Sequence, residues 1–287
     1  MDSIICIAGK NSIAVNATQY LLKKLNIDKK FIRAMINSND AGIDSWQPSF
    51  QKYALENQIQ IITLEQAYTI KNLIFISLEF DKIIKPSSFK TKYLYNMHFS
   101  LLPKYKGMYT AILPLINGES KGGVTFHLID EGIDTGDIVD YKAYAIDIND
   151  TARDLYFKNL KYSFELFKKV IKDVLNGSVK TKRQSHLGAS YYSKKAINFE
   201  NIDIDFNKSS FEIHNQIRAF IFPEYQLPKI DNKEIYKCIL TNEKIKKRKI
   251  TEKERFIISG IDGFKIIAYF TTHKIYANSN GGGGVTI

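Results

Sequence analysis

The 287-residue chain is poor in the residues that staple or break folds: two cysteines (Cys6 and Cys238), six prolines and one tryptophan. Two thiols, one of them inside an apolar run, exclude a disulfide scaffold and fit a reducing compartment. Few prolines and a mix that is 44% hydrophobic and 25% charged exclude collagen-like, repeat-tract and disordered chains. No apolar run approaches the roughly 18 residues that a bilayer demands, so no membrane partner is expected. The N-terminus, MDSIICIAGK, carries an acid at position 2 and no basic n-region. It reads as a core strand, not a signal peptide, and a cytoplasmic location is expected. The five histidines (98, 127, 186, 214 and 273) are scattered without ligand spacing, so no metal is expected. The first strand is followed by Gly9-Lys10-Asn11 without G-x-G-x-x-G, so no dinucleotide fingerprint is present.

What is plentiful is positive charge, in one half. The formal net charge is +11, yet residues 1–150 hold 16 Lys/Arg against 16 Asp/Glu, and residues 151–287 hold 25 against 14. An excess confined to the second half fits an anionic partner there, a nucleic acid or a phosphorylated small molecule. It fits equally a set of lysines that only solvate surfaces.

At roughly 150 residues per domain the length corresponds to one large or two moderate domains. The first half alternates strand-like and helix-like patterns. Strands are expected at Ser3–Ala8, Phe31–Ile36, Ile59–Leu64, Asn72–Phe80, Tyr93–Phe99 and Gly122–Ile129. Ala14, Thr18, Leu21, Leu22 and Leu25 fall at helical spacing, and Pro48–Asn57 reads as a second helix. This alternation predicts βαβ units and an α/β fold with a mostly parallel sheet flanked by helices. Thr151–Asn176 is the longest helix expected, with Thr151 and Asp154 as a capping box and Asn176-Gly177 as the stop. A basic polar stretch, Gly177–Ala189, suits a linker or return loop. After a short helix at Phe211–Ala219 come strands such as Phe264–Thr271, following the turn Asp262-Gly263. These changes place a boundary near 205, giving a catalytic domain at 1–205 and a smaller β-containing C-terminal domain at 206–287. Its tail, ANSNGGGGVTI, reads as flexible.

The chemistry concentrates in two segments. In Asn96–Gly107, NMHFSLLPKYKG, Asn96 and His98 are two apart at a strand end and project to one side. The carboxyl ends of strands in open α/β sheets are where ligands bind. Asp130–Ile138, DEGIDTGDI, packs four carboxylates and two glycines into nine residues. Taken singly, His98 reads as an ordinary hydrogen-bonded histidine, Asn96 as a turn former, and the acids as caps or solvated loop residues.

Together, NxHxSLLPxYxG and DEGIDTGDI resemble the formyltransferases that use N10-formyltetrahydrofolate: methionyl-tRNA formyltransferase, phosphoribosylglycinamide formyltransferase and the nucleotide-sugar N-formyltransferases. The resemblance is close over about residues 70–140 and weaker over the rest of the first domain, for which it implies a Rossmann-like fold. It implies a catalytic set of Asn96, His98 and Asp134 acting in formyl transfer to an amine. Asn96 would donate to the developing oxyanion. His98 would carry the proton, and Asp134 would orient and stabilise the imidazole. By the same resemblance Leu78, Phe80, Ile83, Leu101 and the Asp130 loop are candidates for the folate pocket. Ordinary core packing is the competing reading for these apolar residues.

Three amine acceptors follow from the resemblance. A single-domain glycinamide enzyme leaves the second half of the chain unexplained. A methionyl-tRNA enzyme fits the basic second half, although Lys244–Lys249 (KIKKRK) is its only dense basic cluster. A nucleotide-sugar enzyme fits Gln216–Pro228, QIRAFIFPEYQLP. There Arg218 suits a pyrophosphate, and Phe222 and Tyr225 suit stacking on a base. Aromatics closing a domain seam are the structural alternative. Lys10, Asn11 and Tyr105 are further candidates for the sugar nucleotide. The expectation is a sugar N-formyltransferase acting on a dTDP-linked amino-dideoxy sugar, such as a 3- or 4-amino-dideoxyglucose, in surface-polysaccharide (O-antigen, lipopolysaccharide) synthesis. Its partners would be nucleotide sugar and folate, with tRNA only under the alternative, and its assembly a homodimer.

Overall fold

A computed structural model describes residues 3–246 and 248–271. Its strands and helices run, in chain order, β1 (Ile4–Gly9), α1 (Asn11–Lys23), β2 (Ile32–Ile36), α2 (Phe50–Glu56), β3 (Gln60–Ile61), α3 (Leu64–Thr69), β4 (Leu73–Leu78), β5 (Leu94–His98), β6 (Lys106–Gly107), α4 (Leu113–Ile116), β7 (Lys121–Leu128), β8 (Ile138–Ala145) and α5 (Ala152–Asn176). These are followed by β9 (Tyr191–Tyr192), α6 (Ser210–Arg218), β10 (Lys229–Ile230), β11 (Lys233–Lys244), β12 (Lys249–Thr251), β13 (Arg255–Ser259) and β14 (Phe264–Phe270).

Seven strands form one sheet in the order β3-β2-β1-β4-β5-β7-β8. The first five are parallel to their neighbours, and β7 runs antiparallel to β5. The expected α/β architecture is therefore present, with a mixed edge. β4 (LIFISL) is buried along its whole length, because a central parallel strand has both faces covered. Phe75 at its centre packs with Cys6, Met35, Leu73 and Leu94 in one apolar cluster. α1 buries Ile13, Ala14, Ala17, Thr18 and Leu21, the 3.6-residue stripe visible in its sequence.

Strand order reverses beside β1, whose carboxyl end is closely hemmed. A Cβ added to Gly9 would stand 1.8 Å from the Leu78 carbonyl oxygen, so only glycine lets β1 end against β4 there. The reading of Ile59–Leu64 as a strand is corrected: the strand at the sheet edge is only Gln60–Ile61, with Ile62 N–H making the last bond to Ala34 O (2.9 Å). Thr63 and Gln66 close a capping box that starts α3, a local signal stronger than two exposed edge residues. At α5 the Thr151–Asp154 box forms as expected, with Thr151 N–H donating to Asp154 (2.9 Å) and Asp154 N–H to Thr151 Oγ1 (3.3 Å). Gly177, at φ +67°, stops that helix.

A five-stranded sheet, β10-β11-β14-β13-β12, lies wholly after residue 205. Ile235, Phe256, Ile258, Ile266 and Phe270 from it pack with Ile213 and Ile217 of α6. The chain nonetheless groups into two compact units that interleave, unlike a single cut near 205. One comprises the residues up to Gly107, Gly123–Ala143 and Asn159–Tyr191. The other comprises Met108–Gly122, Tyr144–Lys158 and the described residues from Tyr192 onward. One of the divisions falls within the sequence of α5, between Lys158 and Asn159. The tail read as flexible, 277–287, lies outside the described residues.

Candidate active site

Asn96 and His98 occupy the carboxyl-terminal half of β5, their side chains on one side of the sheet as the spacing of two requires. Antiparallel β7 sets His127 opposite Asn96 and Thr125 opposite His98. Thr125 also holds the turn that follows β5: its hydroxyl donates to Ser100 O (2.6 Å) and accepts from Leu102 N–H (3.1 Å). That turn contains a cis Leu102–Pro103 bond and Tyr105 at φ +57°.

Asp134 arrives from the loop between β7 and β8, and several contacts shape that loop. Asp130 Oδ1 accepts from Gly132 N–H (3.1 Å) and from the Thr135 hydroxyl (2.6 Å). Gln184 Nε2 donates to the carbonyls of Asp134 (2.9 Å) and Gly136 (2.7 Å). A Cβ on Gly136 would lie 1.9 Å from Leu128 O, so the glycine of the DTG run is what lets the loop close on β7. Asp134 itself sits at φ +54°, a left-handed conformation that Asp and Asn tolerate better than most residues.

The Asp134 carboxylate is the hub of the site. Oδ1 accepts from Asn96 Nδ2 (3.1 Å), and Oδ2 accepts from Gly107 N–H (2.9 Å). His98 Nδ1 and His127 Nε2 each stand 3.4 Å from one of its oxygens. Burial opposes ionisation of Asp134, but the charge of His98, the hydrogen bond and charge of His127 and the Gly107 N–H outweigh it. The carboxyl is held well below the usual carboxylate range. His98 is 7% exposed, and burial moves its pKa below the ordinary imidazole value, against the pull of Asp134 and the Tyr105 carbonyl. Its Nε2 lies 2.7 Å from Tyr105 O, which only accepts, so Nε2 carries a proton. A second proton on Nδ1 would face the Asp134 carboxylate. The ring is thus placed to hold an extra proton with both N–H groups satisfied.

The three residues expected to act together are therefore gathered at one point. His127 joins them, and neither it nor Gln184 was singled out in the sequence. The available signal for His127 was its phase in GGVTFHLI, where alternation puts it on the face of Thr125. An open cleft of about 410 Å³ runs beside the Asp134 loop, lined by Lys106, Ile133, Thr135, Ala189, Ser190 and Tyr191. Its lining is mostly apolar, with Lys106 the one charged side chain. Among the described residues, no group of three or more His, Cys, Asp or Glu could hold a metal ion, and no helix is long and apolar enough to cross a membrane.

Several other expected site residues are placed differently. Leu78 is fully buried in β4 and offers no side-chain surface to a ligand, while Ile83 is 76% exposed. Phe80 packs edge-on against Phe75 (6.2 Å) in the core cluster. Leu101 is half-buried against Gly123, where an added Cβ would meet it at 2.3 Å. Asp130 caps its own loop. Tyr105 is buried and contributes its carbonyl to His98. Lys10 and Asn11 stand at the carboxyl end of β1, where strand order reverses, and Asn11 Nδ2 lies 3.4 Å from Glu79 Oε2.

In the second unit Arg218 is 2% exposed. Its guanidinium donates to Asn215 Oδ1 (2.8 Å) and to the carbonyls of Asp147 (2.8 Å) and Asp150 (2.9 Å). It is a clamp on the loop before α5, and a pyrophosphate ligand role is corrected accordingly. Phe222, fully buried between Tyr156 and Tyr225, has no open face for a base; Tyr225 is half-buried at 4.7 Å from it. Arg218→Met is expected to cost about 2 kcal/mol of stability, the penalty of stranding buried carbonyls, with the KM for a nucleotide substrate unchanged. Urea denaturation and steady-state kinetics read the two effects separately. A raised KM at full stability would restore the ligand role.

Comparison with known proteins sets this geometry in a family. The family model described as "Formyl transferase" matches residues 62–171. An N-formyltransferase from Helicobacter canadensis, solved with folinic acid and dTDP-3-aminofucose, is 52% identical, with 94% of this chain and 100% of that one covered at a TM-score of 0.91. The chain belongs to the formyltransferase family. This formyltransferase is also 54% identical to a sugar 3N-formyl transferase solved in the presence of dTDP and 5-N-formyl-THF, covering 95% of this chain and 99% of that one (TM-score 0.92). A methionyl-tRNA formyltransferase from Clostridioides difficile (strain 630) is 39% identical over 124 residues, 43% of this chain. The match spans only 40% of that curated relative's own length.

Proposed function

We propose that this formyltransferase moves the formyl group of N10-formyltetrahydrofolate to the 3-amino group of a dTDP-linked amino-deoxy sugar, for surface-polysaccharide assembly in the cytoplasm. The observation that carries the reading is the likeness, above half identity over nearly the whole chain, to two enzymes described with a 3-amino sugar nucleotide or as a sugar 3N-formyl transferase. In the reaction, the neutral amine nitrogen bonds to the formyl carbon, the bond from that carbon to N10 breaks, and the amine's proton passes to the folate nitrogen. His98, with ionised Asp134 beside it, is the residue suited to hold that proton in transit. The cleft beside Ile133 and Thr135, apolar with a single lysine, suits a ligand that joins a flat ring to a carboxylate, as folate does.

The methionyl-tRNA reading draws on the curated relatives, but at 30–39% identity their likeness spans 43–63% of this chain and 39–59% of their own length. The basic cluster that favoured it lies at the β11–β12 connection, where Lys249 is paired with Asp231 (2.6 Å) and Lys244 lies over the Phe264 ring. Incubation with 10-formyltetrahydrofolate and, separately, dTDP-3-amino sugar, dTDP-4-amino sugar and Met-tRNA tests the choice through release of tetrahydrofolate. Turnover is expected with the 3-amino sugar first. Turnover with Met-tRNA alone would overturn the reading.

A further inference from the structure

Two non-glycine residues of the site hold a left-handed backbone: Asp134 at φ +54° and Tyr105 at φ +57°. That conformation costs free energy for a bulky residue above all, and it persists only where the surroundings over-determine it. Both residues are held by one segment, 182–191, the return after α5. At its start Lys182 exchanges two backbone hydrogen bonds with Ile138 (2.8 Å each), which fixes the segment beside β8. Buried Gln184 then gives its amide Nε2–H groups to the carbonyls of Asp134 (2.9 Å) and Gly136 (2.7 Å). Its Oε1 meets no hydrogen-bond partner among the described residues, so this amide works by donation alone. The opposite flip would press Oε1 against two carbonyl oxygens, so the orientation is fixed. The chain is then exposed from Ser185 to Ala189. Ser190 ends that stretch by taking hold of Tyr105. Its Oγ accepts from Tyr105 N–H (2.8 Å), and its carbonyl accepts from Lys106 N–H (2.9 Å). Lys106 N–H belongs to the same peptide group as Tyr105 O, the atom that stands 2.7 Å from His98 Nε2.

We infer that Gln184 and Ser190 are positioning residues: from the two ends of one loop they clamp Asp134 and, through Tyr105, His98, so that the catalytic pair stays face to face. The inference rests on the formyl-transfer reading for what the pair does, and on the hydrogen bonds for how it is held. Without Gln184 the peptide after Asp134 is free to turn, and the carboxylate turns with it. Without the Ser190 hydroxyl, Tyr105 N–H loses its acceptor, and the carbonyl that fixes the His98 ring loses support. Ala189, Ser190 and Tyr191 also line the cleft together with Ile133 and Thr135, the sequence neighbours of Asp134. A ligand in that cleft therefore lies against both parts of the clamp.

Titration of His98 by NMR in the substrate-free protein tests the clamp without any reaction. Asp134 and the Tyr105 carbonyl both raise the His98 pKa against burial, while His127 and Lys106, the other charged groups facing it, lower it. Gln184→Met, similar in length but without donors, and Ser190→Ala are each expected to lower that pKa, because each loosens one of the two raising contacts. Gln184→Met is also expected to lower kcat about 100-fold, the scale of ångström-level misplacement, with the amine KM little changed. Ser190→Ala is expected to lower kcat about 10-fold, the scale of one hydrogen bond, and Ser190→Thr, which keeps the hydroxyl, to restore it. Wild-type kcat with an unmoved His98 titration in either Gln184→Met or Ser190→Ala would overturn the inference. So would a loss confined to KM, or a Ser190→Thr enzyme as slow as the alanine variant. A fall in kcat with the His98 titration unmoved would reduce both residues to structural ones and overturn it as well. If Gln184→Met does not fold, the two Ser190 variants decide. Failure of every amine substrate would count against the proposed reaction, while the His98 titration would still decide the clamp.

Discussion

Asp134→Asn is expected to lower turnover by about 10⁴-fold, the loss typical when a carboxylate that orients and charge-balances a catalytic histidine becomes an amide. The carboxylate has two oxygens and four neighbouring groups: Asn96 Nδ2 and His127 Nε2 on one side, Gly107 N–H and His98 Nδ1 on the other. An amide can keep an acceptor on one side only. If its oxygen stays with Gly107, its NH₂ meets the Asn96 NH₂ and that hydrogen bond is lost. If its oxygen turns to Asn96, Gly107 N–H is stranded. In both cases the negative charge that pulls His98 upward against burial disappears, so the His98 pKa is expected to fall below its wild-type value. The backbone has little reason to change, because asparagine accepts the φ of +54° at this position as readily as aspartate. Circular dichroism and thermal unfolding should therefore match wild type while tetrahydrofolate release nearly vanishes. Retention of more than a tenth of the wild-type rate would remove Asp134 from the mechanism.

The site was legible where its residues share a strand and illegible where they meet across the fold. Asn96 and His98 are two apart on one strand, so a period of two suffices to align them. Asp134 came with them through the DEGIDTGDI resemblance. His127 enters only through the β5–β7 register, which sequence does not state, and Gln184 reaches the Asp134 loop from 50 positions away. Arg218 shows a different failure. A guanidinium fork matches a pyrophosphate, yet it matches the carbonyls of Asp147 and Asp150 as well, and burial decided for the carbonyls. Leu78 and Phe222 illustrate the same ambiguity for apolar side chains, whose pattern does not distinguish a pocket wall from the core. In the fold, strong central strands such as β4 announced themselves, while β3 shrank to two residues because the Thr63–Gln66 capping box claimed the segment for a helix.

His214 makes the second large prediction, on stability. It is fully buried on α6, with Nε2 2.8 Å from Ile148 O and Nδ1 3.2 Å from Cys238 Sγ. The carbonyl only accepts, so the proton resides on Nε2, and bare Nδ1 is left to accept the Cys238 S–H. Burial pushes the Cys238 thiol far up, which keeps that hydrogen in place. A proton added to Nδ1 would face the thiol hydrogen in a desolvated space near the Arg218 cation. Burial first, and then that charge, press the His214 pKa down to about 4 despite the Ile148 hydrogen bond. An unfolded histidine titrates near 6.5. As pH falls from about 6.5 to 4 the unfolded chain takes up this proton and the native one does not, so stability drops with falling pH, by about 3 kcal/mol once pH 4 is reached. His98, also depressed by burial, adds to the same trend, so the difference between two proteins is the informative quantity. Urea denaturation of wild type and His214→Gln at pH 7, 6, 5 and 4 should give a shallower pH dependence in the variant, by close to one proton near pH 5. Superimposable slopes would show that His214 is protonated in the native state and that its contacts with Ile148 and Cys238 are not those described.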